Sequence, residues 1–336
     1  MTKLLPIIVA VVAAGGLAAS ACTVNSTTNN NGNSDGGEDS STGDDGGTDT
    51  GVENDTGTPT DGGTEAAAPE ANIRLANWSP DAPAAGYDFC IATHGSTTFS
   101  GPQISAATSG DAGGGLTLAF PTVTTYFGID PGTYDIEIVA GNATDCSSPI
   151  GSAITNILPS GLAANSYYTI AFVGDSTQAG SDPTLTAIGF QDEGTPATAT
   201  NANVRFLNVA PSLNGATTVD FGTGALGASS FDGLETAVAF AALATAGGDA
   251  GVTPDSNGYV SVPAFTSATE FSAHTTTGAT TDTATASSQM VAEGTSATLI
   301  LINGKTGQTA PSFLVCQGDS TTSATGNLSN CTQVAH

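Results

Sequence analysis

Four of the five cysteines fall into two pairs, Cys90 with Cys146 and Cys316 with Cys331. Paired cysteines either form disulfides or ligate a soft metal through thiolates. No C-x-x-C spacing and no neighbouring histidine supports a metal, so two disulfides are expected. Of the three possible connectivities, Cys90–Cys146 with Cys316–Cys331 keeps each bridge within one half of the chain. Loops of this length would contribute roughly 3–4 kcal/mol each in the chain-entropy model. His94, His274 and His336 lie far apart, and no H-E-x-x-H, G-x-S-x-G or phosphate-binding loop is present. The adjacent acids Asp192-Glu193 read as a solvated loop. Asp175 and Asp182 bracket a turn that has the composition for calcium with backbone carbonyls, set against the plainer reading of a wet hairpin loop. No catalytic residue, metal or cofactor is assigned, and the chain is read as a non-enzyme.

Arginine is scarce, which makes its recurrence informative. Arg74 precedes Asp88 at nearly the spacing by which Arg205 precedes Asp220. A guanidinium offers planar donors matched to a carboxylate, so structural ion pairs Arg74–Asp88 and Arg205–Asp220 are expected. Trp78, Tyr87 and Tyr126 form the candidate binding set. Exposed together they would suit stacking on a sugar ring; a buried Trp78 would be a core plug.

The elements that must position these groups read as strands. Tyr134, Ile136 and Ile138 alternate with Asp135 and Glu137, giving one dry and one wet face. Tyr168, Ile170 and Phe172 alternate beside further apolar residues, as in a central strand. Turn residues such as Asp130-Pro131-Gly132 punctuate them. The Ala-rich Thr236 to Ala246 is the one candidate helix, and its β-branched and Gly surroundings argue against it. Ala71-Asn72-Ile73-Arg74-Leu75-Ala76-Asn77 is echoed by Ala202-Asn203-Val204-Arg205-Phe206-Leu207-Asn208. Tyr167-Tyr168-Thr169-Ile170 is echoed by Ser296-Ala297-Thr298-Leu299. The pattern predicts an all-β chain of two tandem antiparallel immunoglobulin-like β-sandwich domains, 71–194 and 201–336, with a linker over 195–200.

Asn72-Ile73-Arg74-Leu75-Ala76-Asn77-Trp78-Ser79-Pro80-Asp81-Ala82-Pro83 resembles the V-R-x-x-H-x-S-P-D-A-P opening of a bacterial family of exported domains, DUF4397. Asp130 to Ile136 resembles that family's P-A-G-x-Y-x-V strand, and Ser166 to Gly174 its T-x-Y-T-x-x-x-x-G strand. Asn77 and Asn208 stand near the place where the family often has His. Pro80-Asp81-Ala82-Pro83 becomes Pro211-Ser212-Leu213-Asn214 in the second, divergent copy. The resemblance implies an envelope-associated β-sandwich and carries no established activity.

Residues 1–21 read as an export signal: Lys3, an apolar run from Leu4 to Ala14, then Ala19-Ser20-Ala21 before Cys22. Ala-Ser-Ala-Cys resembles a bacterial lipobox, in which Cys22 is lipidated; ordinary cleavage leaving a free thiol is the other reading. Thr23 in place of Asp favours, by the same resemblance, the outer membrane. Residues 22–70 are Ser, Thr, Gly, Asn and acidic, a composition expected to stay disordered as a tether. Its root-mean-square reach would be on the order of 35–40 Å. The formal net charge of −27 leaves only Arg74, Arg205 and Lys305 as cations after the signal, which excludes a nucleic-acid partner. The function expected is a non-catalytic cell-envelope lipoprotein, held to the membrane by its lipid and displaying two sandwiches for structural or adhesive contact with a surface protein or glycan. The alternative is a carbohydrate- or ligand-binding surface module.

Overall fold

The computed structural model describes residues 68–104, 118–177, 182–192, 197–213, 218–226, 231–248, 251–277, 279, 282–303, 310–317 and 331–334. The segment expected to be an export signal, Cys22, nearly all of the expected tether, Glu193, Lys305 and His336 lie outside them. Residues 65–336 form one compact unit.

The chain is all-β. In its first half run β1 (Ala71–Asn77), β2 (Tyr87–Thr93), β3 (Phe127–Ile129), β4 (Tyr134–Ala140), β5 (Tyr167–Val173) and β6 (Thr186–Gln191). The second half holds β7 (Asn201–Asn208), β8 (Val219–Thr223), β9 (Asp232–Val238), β10 (Tyr259–Pro263), β11 (Phe265–Thr275), β12 (Ala284–Val291), β13 (Ser296–Asn303), β14 (Pro311–Gln317) and β15 (Cys331–Val334). The Ala-rich stretch from Thr236 enters β9 and then turns, and makes no helix.

Alternation builds each core, because successive side chains on a strand point to opposite faces. In the first half a sheet ordered β3-β1-β5-β6 is accompanied by the pair β2-β4. Ile73 and Leu75 of β1, Tyr168, Ile170 and Phe172 of β5, Phe89 and Ile91 of β2, and Ile136 and Ile138 of β4 share one buried cluster. In the second half β10-β7-β13-β14-β15 is accompanied by β12-β11-β8-β9, around Val204, Phe206, Phe221, Phe271, Leu299 and Phe313. Among the described strands the pairings are antiparallel except that β1 runs parallel to β5 and β7 parallel to β13. The registers correspond, with Arg74 opposite Thr169 and Arg205 opposite Thr298. Across the companion sheets Phe89 faces Ile138 and Phe221 faces Ala273.

Both expected disulfides are present. Cys90–Cys146 ties β2 to the loop after β4, and Cys316–Cys331 ties β14 to β15. A third apolar cluster joins the halves. Ala76, Trp78, Val123, Ala171, Val173 and Phe190 meet Leu207, Val209, Ile300, Ile302 and Leu314 there. These residues occupy the strand faces turned away from each sandwich's own core. That is why β1, β5, β7 and β13 are apolar on both sides.

Candidate functional site

At one end of this junction both arginines converge on one carboxylate. Asp192 directly follows β6 and is fully buried. Arg205 Nη2 donates to Asp192 Oδ1 at 2.8 Å, and Arg74 Nη2 reaches the same oxygen at 3.4 Å. The other oxygen, Oδ2, accepts from Thr169 Oγ1 at 2.5 Å and from the Tyr126 hydroxyl at 2.8 Å. Asp192 also bonds through its backbone: its N–H donates to the Tyr167 carbonyl, and its carbonyl accepts from the Tyr259 hydroxyl at 2.9 Å.

The two register threonines complete the arrangement. Arg74 Nε donates to Thr169 Oγ1 at 2.7 Å; Arg205 donates to Thr298 Oγ1 from Nε at 3.2 Å and from Nη2 at 3.0 Å. Arg205 Nη1 donates to the Gln191 carbonyl at 2.7 Å. Its guanidinium carbon sits 4.4 Å from the ring centroids of both Phe190 and Tyr259, a planar cation between two π faces. Arg74 lies 5.1 Å from the Tyr126 ring centroid, and Tyr126 meets Tyr167 edge to face. Burial alone would push the Asp192 carboxyl up. The charges of Arg74 and Arg205 and the Thr169 hydrogen bond outweigh it and hold the group below its ordinary value.

This geometry corrects the expected ion pairs. Arg74 and Asp88 do not meet, nor do Arg205 and Asp220. Their neighbours Ile73, Leu75 and Phe89 fill the first core, and Val204, Phe206, Val219 and Phe221 the second. Each Arg and each Asp therefore faces away from its core, and they lie in different sheets. Asp88 instead accepts from the N–H groups of Phe89 and Ile104. Asp220 accepts from Thr236 Oγ1, the Ala237 N–H and Thr276 Oγ1, with His274 Nε2 at 3.7 Å. The reading of Asp192 as a solvated loop acid is likewise corrected. The signal available was alternation: Ile188, Phe190 and Asp192 are spaced to share one face, the one that meets the second half.

The aromatic binding set is not an exposed platform. Trp78 is 1% exposed and stacks near Phe190 in the junction cluster. Tyr87, also 1% exposed, packs edge to face on Phe172 in the first core. Tyr126 is half-buried and engaged with Asp192. Elsewhere His94 Nδ1 and Asp135 Oδ1 lie 2.7 Å apart. Burial would raise the Asp135 carboxyl, but hydrogen bonds from His94, Asn156 and Gly95 bring it below its usual range. Sequence reasoning passed over Glu235 on β9. It is fully buried and neither carboxyl oxygen makes a hydrogen bond of ordinary geometry. Burial pushes its carboxyl well up, offset only in part by the Phe206 amide and the Arg205 charge.

Among known families, the domain of unknown function DUF4397 matches residues 112–221. The matched stretch starts before β3, crosses the 195–200 segment and ends in β8. It takes in Tyr126, Thr169, Asp192 and Arg205, but neither Arg74 nor Thr298. One copy is matched, in a frame that bridges the two sandwiches. No curated protein matches the chain.

Proposed function

We propose that this protein is a non-catalytic cell-envelope lipoprotein, displaying a stiff pair of immunoglobulin-like sandwiches for structural or adhesive contact at a bacterial surface. The halves are read as two copies of one domain, on their corresponding registers and their equivalent Arg–Thr pairs. The observation that carries the reading is the use of the polar and aromatic side chains. Arg74, Arg205 and Tyr126 are engaged at Asp192, and Trp78 is packed in the junction, so these residues join sandwich to sandwich rather than line a binding face. A joined pair on an acidic tether suits display at a distance from a membrane. Cys22 supplies the anchor.

Two measurements test the proposal. Fractionation of cells expressing the full chain or Cys22→Ser should find the first with membranes, carrying acyl mass on its N-terminus, and the second soluble or secreted. Cells displaying the full chain should attach to one another or to a coated surface more than cells expressing Cys22→Ser. Equal partition of the two chains would overturn the anchor. Unchanged attachment together with selective binding on a glycan array would replace the adhesive reading with a carbohydrate-binding one.

A further inference from the structure

The two halves close the open edge of an equivalent strand in different ways. β1 pairs with β3 only from Ala71 to Ile73, and β7 with β10 only as far as Arg205. Beyond those points each edge needs other partners, because backbone groups cut off from water must be bonded. In the first half the segment before β3 supplies them. The Leu75 N–H donates to Thr124 Oγ1 at 2.9 Å, and the Leu75 carbonyl accepts from the Thr124 N–H at 2.8 Å. Phe206 is the counterpart of Leu75, since each follows the arginine that lies opposite a threonine. The Phe206 N–H faces the carboxyl of Glu235, outside ordinary hydrogen-bond geometry. Two residues further along β7, the Asn208 carbonyl accepts from the Ala241 N–H at 2.8 Å. An ionisable side chain thus stands in the second half where a neutral hydroxyl stands in the first.

Glu235 is fully buried and pairs across β8 with Phe221 of the second core. On its other side β9 is closed by two backbone bonds, from the Thr236 N–H to the Ala246 carbonyl at 3.2 Å and from the Gly248 N–H to the Leu234 carbonyl at 2.9 Å. Of the charges around it, Arg205 on β7 favours the ionised form, and Asp255, in the turn before β10, opposes it. Asp220 and His274 alternate with the core residues Val219, Phe221 and Ala273, so they stand on the outward faces of β8 and β11. Asp232 is exposed at the start of β9, and residues 239–248 hold no ionisable side chain. Burial outweighs Arg205 and the Phe206 amide and pushes the carboxyl well up. The chain leaving Glu235 is also strained. Ala237 and Ala241 hold φ +54° and +57°, the left-handed region that a Cβ disfavours.

We propose that Glu235 is a proton-operated latch: protonated, it holds β9 against the free edge of β7, and loss of the proton releases the hairpin of residues 235–248 from that edge. A neutral carboxyl tolerates this dry position, whereas a carboxylate gains most by reaching water, which it does only by leaving β7. The strain at Ala237 and Ala241 is relieved by the same movement. Thr124 holds the equivalent edge of β1 without a titratable group, so the first sandwich has no such release. The latch is closed in mildly acidic surroundings and loosens as pH climbs above the carboxyl's unfolded value near 4.5.

Hydrogen exchange of the full chain from about pH 5 to 9, corrected for the intrinsic amide rate at each pH, tests the latch. Exchange at the Phe206 amide should accelerate by up to about tenfold per pH unit, the slope for one proton released on opening. The Leu75 amide, met by Thr124, should stay level and serves as the control within the same molecule. Glu235→Gln keeps an acceptor for the Phe206 N–H and removes the titration, so its Phe206 amide should be slow and level across the range. Should that variant fail to fold, Glu235→Leu removes the titration as well and should also show no slope. A level Phe206 rate in the unaltered chain overturns the latch. So does an equal slope at Leu75, which would mark global unfolding, or a slope that survives in either Glu235 variant.

Discussion

Replacing Arg205 by Met isolates the worth of the sandwich junction. Arg205 is fully buried and donates to Asp192, Thr298 and the Gln191 carbonyl. Met retains much of the apolar stem between Phe190 and Tyr259 but removes every donor. Breaking one member of a buried ion pair costs about 3–5 kcal/mol, because the partner's charge stays behind desolvated. Asp192 would retain Arg74 only at 3.4 Å, together with Thr169 and Tyr126, so the loss should fall within that range. For a unit of this size, about 2 °C per kcal/mol gives a drop of roughly 6–10 °C in the melting midpoint. Arg74→Met, which breaks the longer contact, should cost less, about 1–3 kcal/mol. The triple variant Arg74→Met/Arg205→Met/Asp192→Leu should recover much of the loss, since it leaves no stranded charge. Trp78, the single tryptophan, reports locally because it sits in the junction cluster. Urea unfolding followed by its fluorescence and by circular dichroism should show an earlier fluorescence transition in Arg205→Met. A cost below about 1 kcal/mol with Trp78 emission unchanged would refute the buried-lock account.

Glu235→Gln should raise stability at neutral pH by roughly 1–3 kcal/mol, because ionising an unpartnered buried carboxyl opposes folding. A carboxyl whose folded value is raised makes stability fall as pH climbs above the unfolded value near 4.5. The variant's stability–pH curve should therefore be flatter there, and an identical slope would contradict the assignment. Asp192 acts with the opposite sign. Its carboxyl is held down in the folded state, so its contribution is complete above the unfolded value near 3.8 and is lost as pH falls below that. Acid titration of Asp192→Asn should lack that loss. Removing Cys90–Cys146 by paired Ala substitution should cost about 4 kcal/mol for its separation of 56 residues in the chain-entropy model. Denaturant midpoints measure it, and an unchanged midpoint would show the bridge to be idle.

Strand identity was legible in the chain because alternation is local. The period-two pattern in Tyr134 to Ile138 and the double-sided apolar run of β5 need only neighbours to be read. The cysteine pairing was legible because few alternatives existed, and the recurrence of Arg74 and Arg205 marked both as structural. Their partner was not legible. Alternation places Arg74 and Asp88 each off its own core, but it does not say that β1 and β2 lie in different sheets. Only the fold separates those faces and turns the outer side of β1, β5 and β6 against that of β7, β13 and β14. Once those faces meet, water is excluded from two guanidiniums brought from distant strands, and the nearest carboxylate must balance both. Asp192 occupies that place because β6 ends there: alternation with Ile188 and Phe190 sets the face it shares, and only three-dimensional packing brings both arginines to that face.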